Sequence, residues 1–362
     1  MSNEPISNEA VQKAKEALDA HVREIVNWHF SADTGCPFWL DWASKAGWNP
    51  AEEVQSLDDL IAKFPHFQDE WLRDLQPEVW VPKAFEGQPF NVFETGGTTG
   101  MPKQRIGWSD YKIDYSEFSE KIADEHFPRN HYWLMMGPTG PRRLRLAIEH
   151  LANVRGCSCY FIDLDPRFVK KVIAEKKFDV ARSYMDHVVD QAVTILKHRK
   201  VSAVFTTPKL LEALSEKLDL WESGIRGVFC GGTTMDPQYT RFLVEEVLEN
   251  RIGFYPTYGN TLMGLAASVP ITKEDHYSIT YYSPQPRAVL RVVDPQQTDQ
   301  LKDYGEWGRV ELTTLTKEFF MPRFLERDEA IRKEPRSPYP WDGVAEVRPF
   351  GAMEKKIVEG VY

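Results

Sequence analysis

No stretch of this 362-residue chain holds eighteen consecutive apolar residues, so nothing in it reads as a membrane-spanning helix. Its start, Met1-Ser2-Asn3-Glu4, lacks the apolar core of a secretory leader. Cysteine is scarce. Cys36, Cys157, Cys159 and Cys230 are too few and too irregularly spaced for a disulfide scaffold or a zinc site. Cys157-Ser158-Cys159 reads best as two buried thiols on a strand. Positive charge is also in deficit: 44 Lys and Arg against 54 Asp and Glu give a formal charge of −10. Without a long basic run, nucleic acid and anionic membrane are poor partners. Internal repeats and low-complexity tracts are missing too. The expectation is a soluble, cytoplasmic protein, long enough for one large α/β domain or about two domains.

What is present begins with nine residues, Thr95-Gly96-Gly97-Thr98-Thr99-Gly100-Met101-Pro102-Lys103. Glycines let a backbone approach a ligand closely, threonine hydroxyls supply donors, and lysine is a mobile point charge suited to phosphate oxygens. The common P-loop runs straight into a helix. Here Pro102 intervenes, and Gln104-Arg105-Ile106-Gly107-Trp108 reads as a short strand, so the loop is expected between extended segments. A glycine-rich hairpin turn without a ligand fits the same composition.

Three regions follow from the patterning: a helical part over 1–85, an α/β core over 86–280, and a β-rich part over 281–362. Apolar residues at 10, 14, 18, 22, 25 and 26 have helical spacing. Residues 36–80, rich in tryptophan and proline, read as irregular packed helices and loops. Val201–Phe205, Ile225–Cys230 and Ile252–Tyr255 read as strands. Between them, Thr207-Pro208 and Asp236-Pro237 each signal a helix start. The second helix would carry Phe242, Leu243, Val247 and Leu248. This β-α-β-α-β order predicts a parallel sheet with right-handed crossovers, whose ligands bind beyond the strand carboxyl ends. Gly231-Gly232-Thr233 and Tyr258-Gly259-Asn260-Thr261 each follow such an end. Short strands are expected over 287–293, 309–314 and 344–348, with Gly305-Glu306-Trp307-Gly308 as a turn between two of them.

The loop resembles the phosphate-binding signature of the adenylate-forming superfamily, which comprises acyl- and aryl-CoA ligases, peptide-synthetase adenylation domains and luciferases. Further motifs resemble it in the same order. Cys230-Gly231-Gly232-Thr233-Thr234 is similar to the segment lining the adenine, and Tyr258-Gly259-Asn260-Thr261 to Tyr-Gly-x-Thr. Gly305 through Leu312 resembles Gly-Glu-x-Gly-Glu-Leu, Phe324 through Asp328 resembles Tyr-Arg-Thr-Gly-Asp, and Arg348 through Gly360 resembles the hinge segment. Together these cover roughly residues 90–362. The implied fold is α/β: the large N-terminal domain of adenylate-forming enzymes, with parallel sheets flanked by helices and a smaller β-rich subdomain. The chain stops at Tyr362, so the resemblance implies that the C-terminal lid domain and its lysine are absent. Among branches, it looks most like phenylacetate-CoA-ligase-like proteins, and within them the truncated adenylating proteins of phenazine-antibiotic biosynthesis.

The resemblance implies ATP-dependent joining of a carboxylate to the α-phosphate, with loss of pyrophosphate. Thr95, Gly96, Gly97, Thr98, Thr99 and Gly100 would hold phosphates, with Lys103 adding charge. Gly231, Gly232, Thr233, Tyr258, Gly259 and Asn260 would surround the nucleotide. Thr261 would reach the α-phosphate and a magnesium ion, and Asp328 the ribose hydroxyls. His131, Phe229, Gly259 and Met263 would line the pocket for the acid, expected to be aromatic because aromatic and sulfur side chains suit a planar ring. An amine, thiol or carrier protein would accept the acyl group. Each residue also has a plainer reading: Thr261 could cap a helix starting at Leu262, Tyr258 could be core, and Asp328 could sit in a solvated charged loop. Residues 131–136 are equally those of a buried strand. The cluster Arg142-Arg143-Arg145, like Arg105, could give ATP a local positive field, although a solvated helix face is its commoner meaning. Leu262 stands where the family has a magnesium-binding glutamate, and leucine offers a hard cation no oxygen. Loss of one electrostatic donor costs about 100- to 1,000-fold in rate, so the expectation is nucleotide binding with slow adenylation. The rival expectation is a non-catalytic relative that binds nucleotide or acyl-adenylate.

Overall fold

Apolar spacing over residues 10–26 produces a 23-residue helix, α1 (Asn8–Phe30), capped by the Ser7 hydroxyl on the Ala10 amide. The computed structural model describes residues 6–96, 101–140, 143–231 and 234–351. They divide into two units. The first comprises residues 6–95, 101–110 and 280–351; the second comprises 96, 111–140, 143–231 and 234–279.

In the first unit, α1 is followed by α2 (Pro37–Ala46), α3 (Pro50–Glu53), α4 (Leu57–Lys63) and α5 (Trp71–Asp74). The short helices are punctuated by the prolines and caps that the sequence advertises: Asn49 caps α3 before Pro50, and Ser56 caps α4. Their aromatic side chains form the core here. Trp42 stacks on Phe64 at 5.2 Å, and Trp39 meets Phe320 at 5.1 Å. Next come β1 (Asn91–Glu94) and β2 (Gln104–Gly107), an antiparallel pair joined by the glycine-rich loop. The loop does lie between extended segments.

The second unit carries the α/β alternation. Its elements are α6 (Asp110–Lys121, all but its first residue in this unit), β3 (Tyr132–Gly137), α7 (Arg143–Val154), β4 (Cys159–Asp163), α8 (Pro166–Ala174) and α9 (Phe178–His198). Then follow β5 (Val201–Thr206), α10 (Pro208–Ser215), β6 (Gly227–Gly231), α11 (Pro237–Phe242), β7 (Gly253–Asn260) and β8 (Gly264–Ser268). Strands β4, β3, β5, β6 and β7 pair in that order, all parallel, and β8 pairs antiparallel with β7. The predicted β5-α10-β6-α11-β7 run is present, with Asp236 capping α11 through the Tyr239 amide. Helix α11 stops at Phe242 and continues as a π-helical turn over Leu243–Val247. Cys159 opens β4 with Cys157 just before it, and both are half-buried, so only one of the two thiols is on the strand.

The last segment returns to the first unit as β9 (Thr280–Tyr282), β10 (Ala288–Val293), β11 (Trp307–Leu315), β12 (Phe320–Lys333) and β13 (Gly343–Pro349). They pair antiparallel in the order β10, β11, β12, β13, β9. The helical and β-rich regions, separate in the sequence patterning, thus fold into one unit. Trp307 and Gly308 already belong to β11, so the expected turn ends at Glu306. No described helix is long and apolar enough to cross a membrane.

Candidate functional site

The carboxyl ends of β5, β6 and β7 open onto a cavity of about 180 Å³ in the second unit. Gly231 ends β6, opposite Thr257 on β7, whose hydroxyl donates to the Cys230 carbonyl at 3.3 Å. A Cβ at Gly231 would come within 3.2 Å of that hydroxyl, so glycine keeps this wall thin. Strand β7 runs further than its apolar stretch predicts, because Tyr258, Gly259 and Asn260 pair with β8. At Gly259 a Cβ would lie 2.1 Å from the Gly264 carbonyl, which only glycine avoids. Asn260 then makes the turn: its Oδ1 accepts from the amides of Leu262 and Met263, both at 2.9 Å. Thr261 sits in that turn, so no helix begins at Leu262.

Gly231, Gly259, Asn260 and Thr261 therefore share one cavity, as their motifs suggested. Thr257 and Gly259 face it, and strand alternation turns the half-buried Tyr258 away. Tyr115, Leu144, Ala147, Phe205 and Leu265 supply apolar walls. Burial pushes the Tyr115 phenol well above its usual range, so it stays neutral.

Other expected residues are elsewhere. His131 lies just before β3, at the amino end of the strands, and shares a 2.7 Å hydrogen bond between its Nδ1 and the Ser202 hydroxyl. It lines a different hollow, so the structure does not bring it to this cavity. Phe229 is fully buried in β6 behind the wall, against Phe118 at 5.1 Å and Phe205 at 5.2 Å. Met263 is buried under the turn, as is Leu262, which offers no oxygen to a cation. Among the described residues, no group of three or more His, Cys, Asp or Glu could hold a metal ion. Gly97, Thr98, Thr99, Gly100, Gly232 and Thr233 lie outside the described residues, as does Arg142.

In the first unit, Thr95 and Lys103 close the base of the loop. The Thr95 amide donates to the Lys103 carbonyl, and the Lys103 amide donates to the Thr95 hydroxyl, both at 3.0 Å. The Lys103 ammonium is engaged: it is 2.9 Å from Asp69 Oδ1 and 4.5 Å above the Phe324 ring. Arg73 and Arg327 share Asp69. Burial alone would raise the Asp69 carboxyl, but Lys103, Arg73 and Arg327 outweigh it and hold it below the usual carboxylate range. Arg105 is likewise buried and paired, with Asp110. Neither cation presents itself as a solvated field for a ligand. Asp328 is half-buried on β12 and pairs with Pro349, which places it on a strand instead of in a loop. In the second unit, Gly96 faces the Lys170 ammonium, 3.3 Å from where a Cβ would stand.

Sequence reasoning missed three contributors to the cavity. Tyr115 comes from α6. Thr207 was read only as a cap, yet its hydroxyl makes no capping bond and lines the cavity. Arg143, offered either as part of a local positive field for ATP or, more readily, as a solvated helix face, is only 4% exposed. The signal was available, since positions 143, 147 and 151 form one i, i+4, i+8 stripe with Ala147 and Leu151 on the core side of α7.

The elements of the two units match the adenylate-forming fold. Specifically, the chain is similar to 2-hydroxyisobutyryl-CoA ligase in the postadenylation state with R3-HIB-AMP, with TM-score 0.70 and 16% identity over 94% of this chain and 68% of that one. The open conformation of that ligase with 2-HIB-AMP and CoA gives TM-score 0.69 and 16% identity over 96% and 74%. Identity this low makes the likeness one of fold. No protein-family model and no curated protein sequence matches the chain.

Proposed function

We propose that this chain activates an aromatic carboxylic acid as its adenylate, consuming ATP and releasing pyrophosphate. One observation carries the reading: Gly231, Gly259, Asn260 and Thr261 meet at the strand carboxyl ends around a cavity with apolar walls. An engineered apolar cavity of about 150 Å³ holds benzene, so about 180 Å³ suits a single ring. Tyr115 and Phe205 offer such a ring aromatic walls.

In the reaction a carboxylate oxygen attacks the α-phosphorus while the bond to pyrophosphate breaks. Two anions must be brought together and aligned, so the protein's task is positioning and neutralisation. The Thr261 hydroxyl would orient the α-phosphate, and Asp328 would hold the ribose hydroxyls. Gly231 would give the adenine room against bare backbone. The buried Leu262 does not fit a role in magnesium binding, so the ion would arrive on the nucleotide's own phosphates. An amine, thiol or carrier protein would take the acyl group. The motif order further supports placement in the phenylacetate-CoA-ligase-like branch, near the phenazine-antibiotic adenylating proteins, and work in the cytoplasm.

A second reading, a non-catalytic binder of nucleotide or acyl-adenylate, is favoured by one observation. Lys103 is committed to Asp69. Pyrophosphate–ATP exchange with a panel of aryl acids, ATP and magnesium separates the two. Acid-dependent exchange is expected, slow by the standard of the fold. ATP binding by calorimetry without exchange for any acid would leave the second reading.

A further inference from the structure

At the carboxyl end of β5 the cavity carries hydroxyls that adenylation itself does not use. Thr207 follows β5 directly and lines the cavity. It is 2% exposed, and its Oγ1 has no hydrogen-bond partner. Nor does it bond to an amide of α10, so the fold gives this hydroxyl no task. A buried hydroxyl without a partner is a standing cost that a matching ligand group removes. Tyr115 brings a second hydroxyl to the lining from α6. Its ring centroid is 6.4 Å from that of Phe229, which in turn lies 5.2 Å from Phe205 on β5. The phenol is 4% exposed, and burial keeps it neutral, so it retains its O–H. Thr261 belongs to the other side. Strands β5, β6 and β7 are consecutive neighbours, and Thr261 follows β7. Thr207 is therefore two strand spacings, about 10 Å, from the β7 side. Size agrees: about 180 Å³ exceeds the benzene-holding cavity by about 30 Å³, one water's share of the liquid. That is room for one hydroxyl beside a ring.

We propose that Thr207 and Tyr115 recognise a hydroxyl on the substrate's ring, at the end remote from its carboxylate. The proposal rests on the reading of the cavity as an acid pocket beside Thr261. Threonine and tyrosine hydroxyls each donate and accept. A ring hydroxyl does both as well, so it accepts from one and donates to the other, whereas a methyl group does neither. The substrate class is therefore a monocyclic hydroxyaryl carboxylic acid, its hydroxyl meta or para to the carboxylate. An unsubstituted acid fits the same walls but leaves Thr207 without a partner. A site built to bond a substrate hydroxyl rejects the analogue that lacks it.

The test is calorimetric titration of meta- and para-hydroxybenzoate into the full chain, each beside the methylbenzoate and aminobenzoate of the same ring position. Benzoate and ortho-hydroxybenzoate serve as references. Wild type should bind one of the two hydroxybenzoates about tenfold or more tighter than its methyl counterpart. Thr207→Val should cut that ratio about threefold or more, Tyr115→Phe likewise, and the double variant should bring it to about one. Both replacements keep the side-chain shape, and should one fail to fold, the other carries the test. Equal binding of hydroxyl and methyl acids to wild type overturns the proposal, as does a ratio unmoved in the folded variants. Tighter binding of ortho-hydroxybenzoate overturns the placement of the hydroxyl, and tighter binding of an aminobenzoate overturns its identity. No binding of any acid overturns the whole. Pyrophosphate exchange with the same acids keeps the two readings apart. Exchange with equal kcat/KM for benzoate and the hydroxybenzoates sinks the hydroxyl site and leaves adenylation. A Thr207-dependent preference without exchange for any acid sinks adenylation and leaves the site.

Discussion

Lys103 and Arg143 are both cations more than nine-tenths buried, in different units of the molecule, and their surroundings differ. Lys103 is in direct contact with Asp69 and over the Phe324 ring, in a cluster where three cations share one carboxylate. Arg143 has its Nη2 3.7 Å from Asp114 Oδ2 and lines a cavity that also contains Thr207, whose hydroxyl has no hydrogen-bond partner. Residue type would have assigned ligand binding to the lysine of a phosphate-loop motif and solvation to the arginine. Burial rules out the second assignment, and the pairing of Lys103 with Asp69 weighs against the first. A buried polar group that is fully paired holds structure, and removing it should cost stability. A hydroxyl left without a partner, as at Thr207, is a cost the fold carries.

The strongest way to break this contrast is at Arg323 in the first unit. It is 4% exposed; its Nη1 donates to the carbonyls of Ile61 at 2.7 Å and Phe64 at 3.0 Å, and its Nε to Glu311 at 3.2 Å. Glu311 is fully buried; desolvation raises its carboxyl, but His66, Arg291 and Arg323 together keep it below the usual range. Arg323→Met should destabilise by about 3–5 kcal/mol, the usual cost of stranding a buried charge, read as a fall in the denaturant midpoint. A loss under about 1 kcal/mol would mean that pairing is no guide to structural weight here.

The next effect sharpens the contrast with pH. His29 is fully buried, and its Nε2–H donates to the Thr316 carbonyl at 2.8 Å. Burial lowers its pKa from 6.5 to about 4, so the folded state holds it neutral while the unfolded state protonates near 6.5. Stability is intact above 6.5 and falls as pH drops from 6.5 toward 4. At about 1.4 kcal/mol per unit, the full loss is about 3 kcal/mol. His29→Gln should flatten the stability–pH curve in that window, and a slope unchanged from wild type would refute the assignment.

Smaller again is Lys103→Met. Asp69 keeps Arg73 and Arg327, so no charge is stranded. The expected loss is about 1.5–3 kcal/mol, the range of one hydrogen bond to a charged group. If Lys103 is structural in the main, ATP affinity by calorimetry should fall less than threefold. A tenfold or larger loss would return it to the phosphate-binding role that its motif implies.

What could be read beforehand was local. The 3.6-residue period of α1, the Pro and Asp starts of α10 and α11, and the β5–β7 alternation each depend on neighbours within a few residues. The convergence of Gly231 and Gly259 on one rim followed from parallel topology. The rest depends on distant partners. Strand β7 extends to Asn260 because β8 pairs with it, and the polar Tyr258-Gly259-Asn260 has no intrinsic strand signal. His131 sits near the correct strand but at its wrong end, a distinction that composition does not carry. The helical and β-rich segments join one unit through contacts such as Trp39 with Phe320, some 280 residues apart.

Thr207→Val should give the smallest effect and the reverse sign. The hydroxyl is buried with no partner and makes no cap, so replacing it with a methyl group of similar shape removes a desolvated dipole and breaks no bond. The expected outcome is stabilisation by up to about 1 kcal/mol, seen as a small rise in melting temperature. Arg323 and Thr207 would then bracket the comparison. At Arg323, the fully paired group, substitution costs stability; at Thr207, whose hydroxyl has no partner, substitution returns it. Destabilisation of Thr207→Val by 1 kcal/mol or more would show that the hydroxyl serves the fold, and the case for a ligand oxygen beside it would fall.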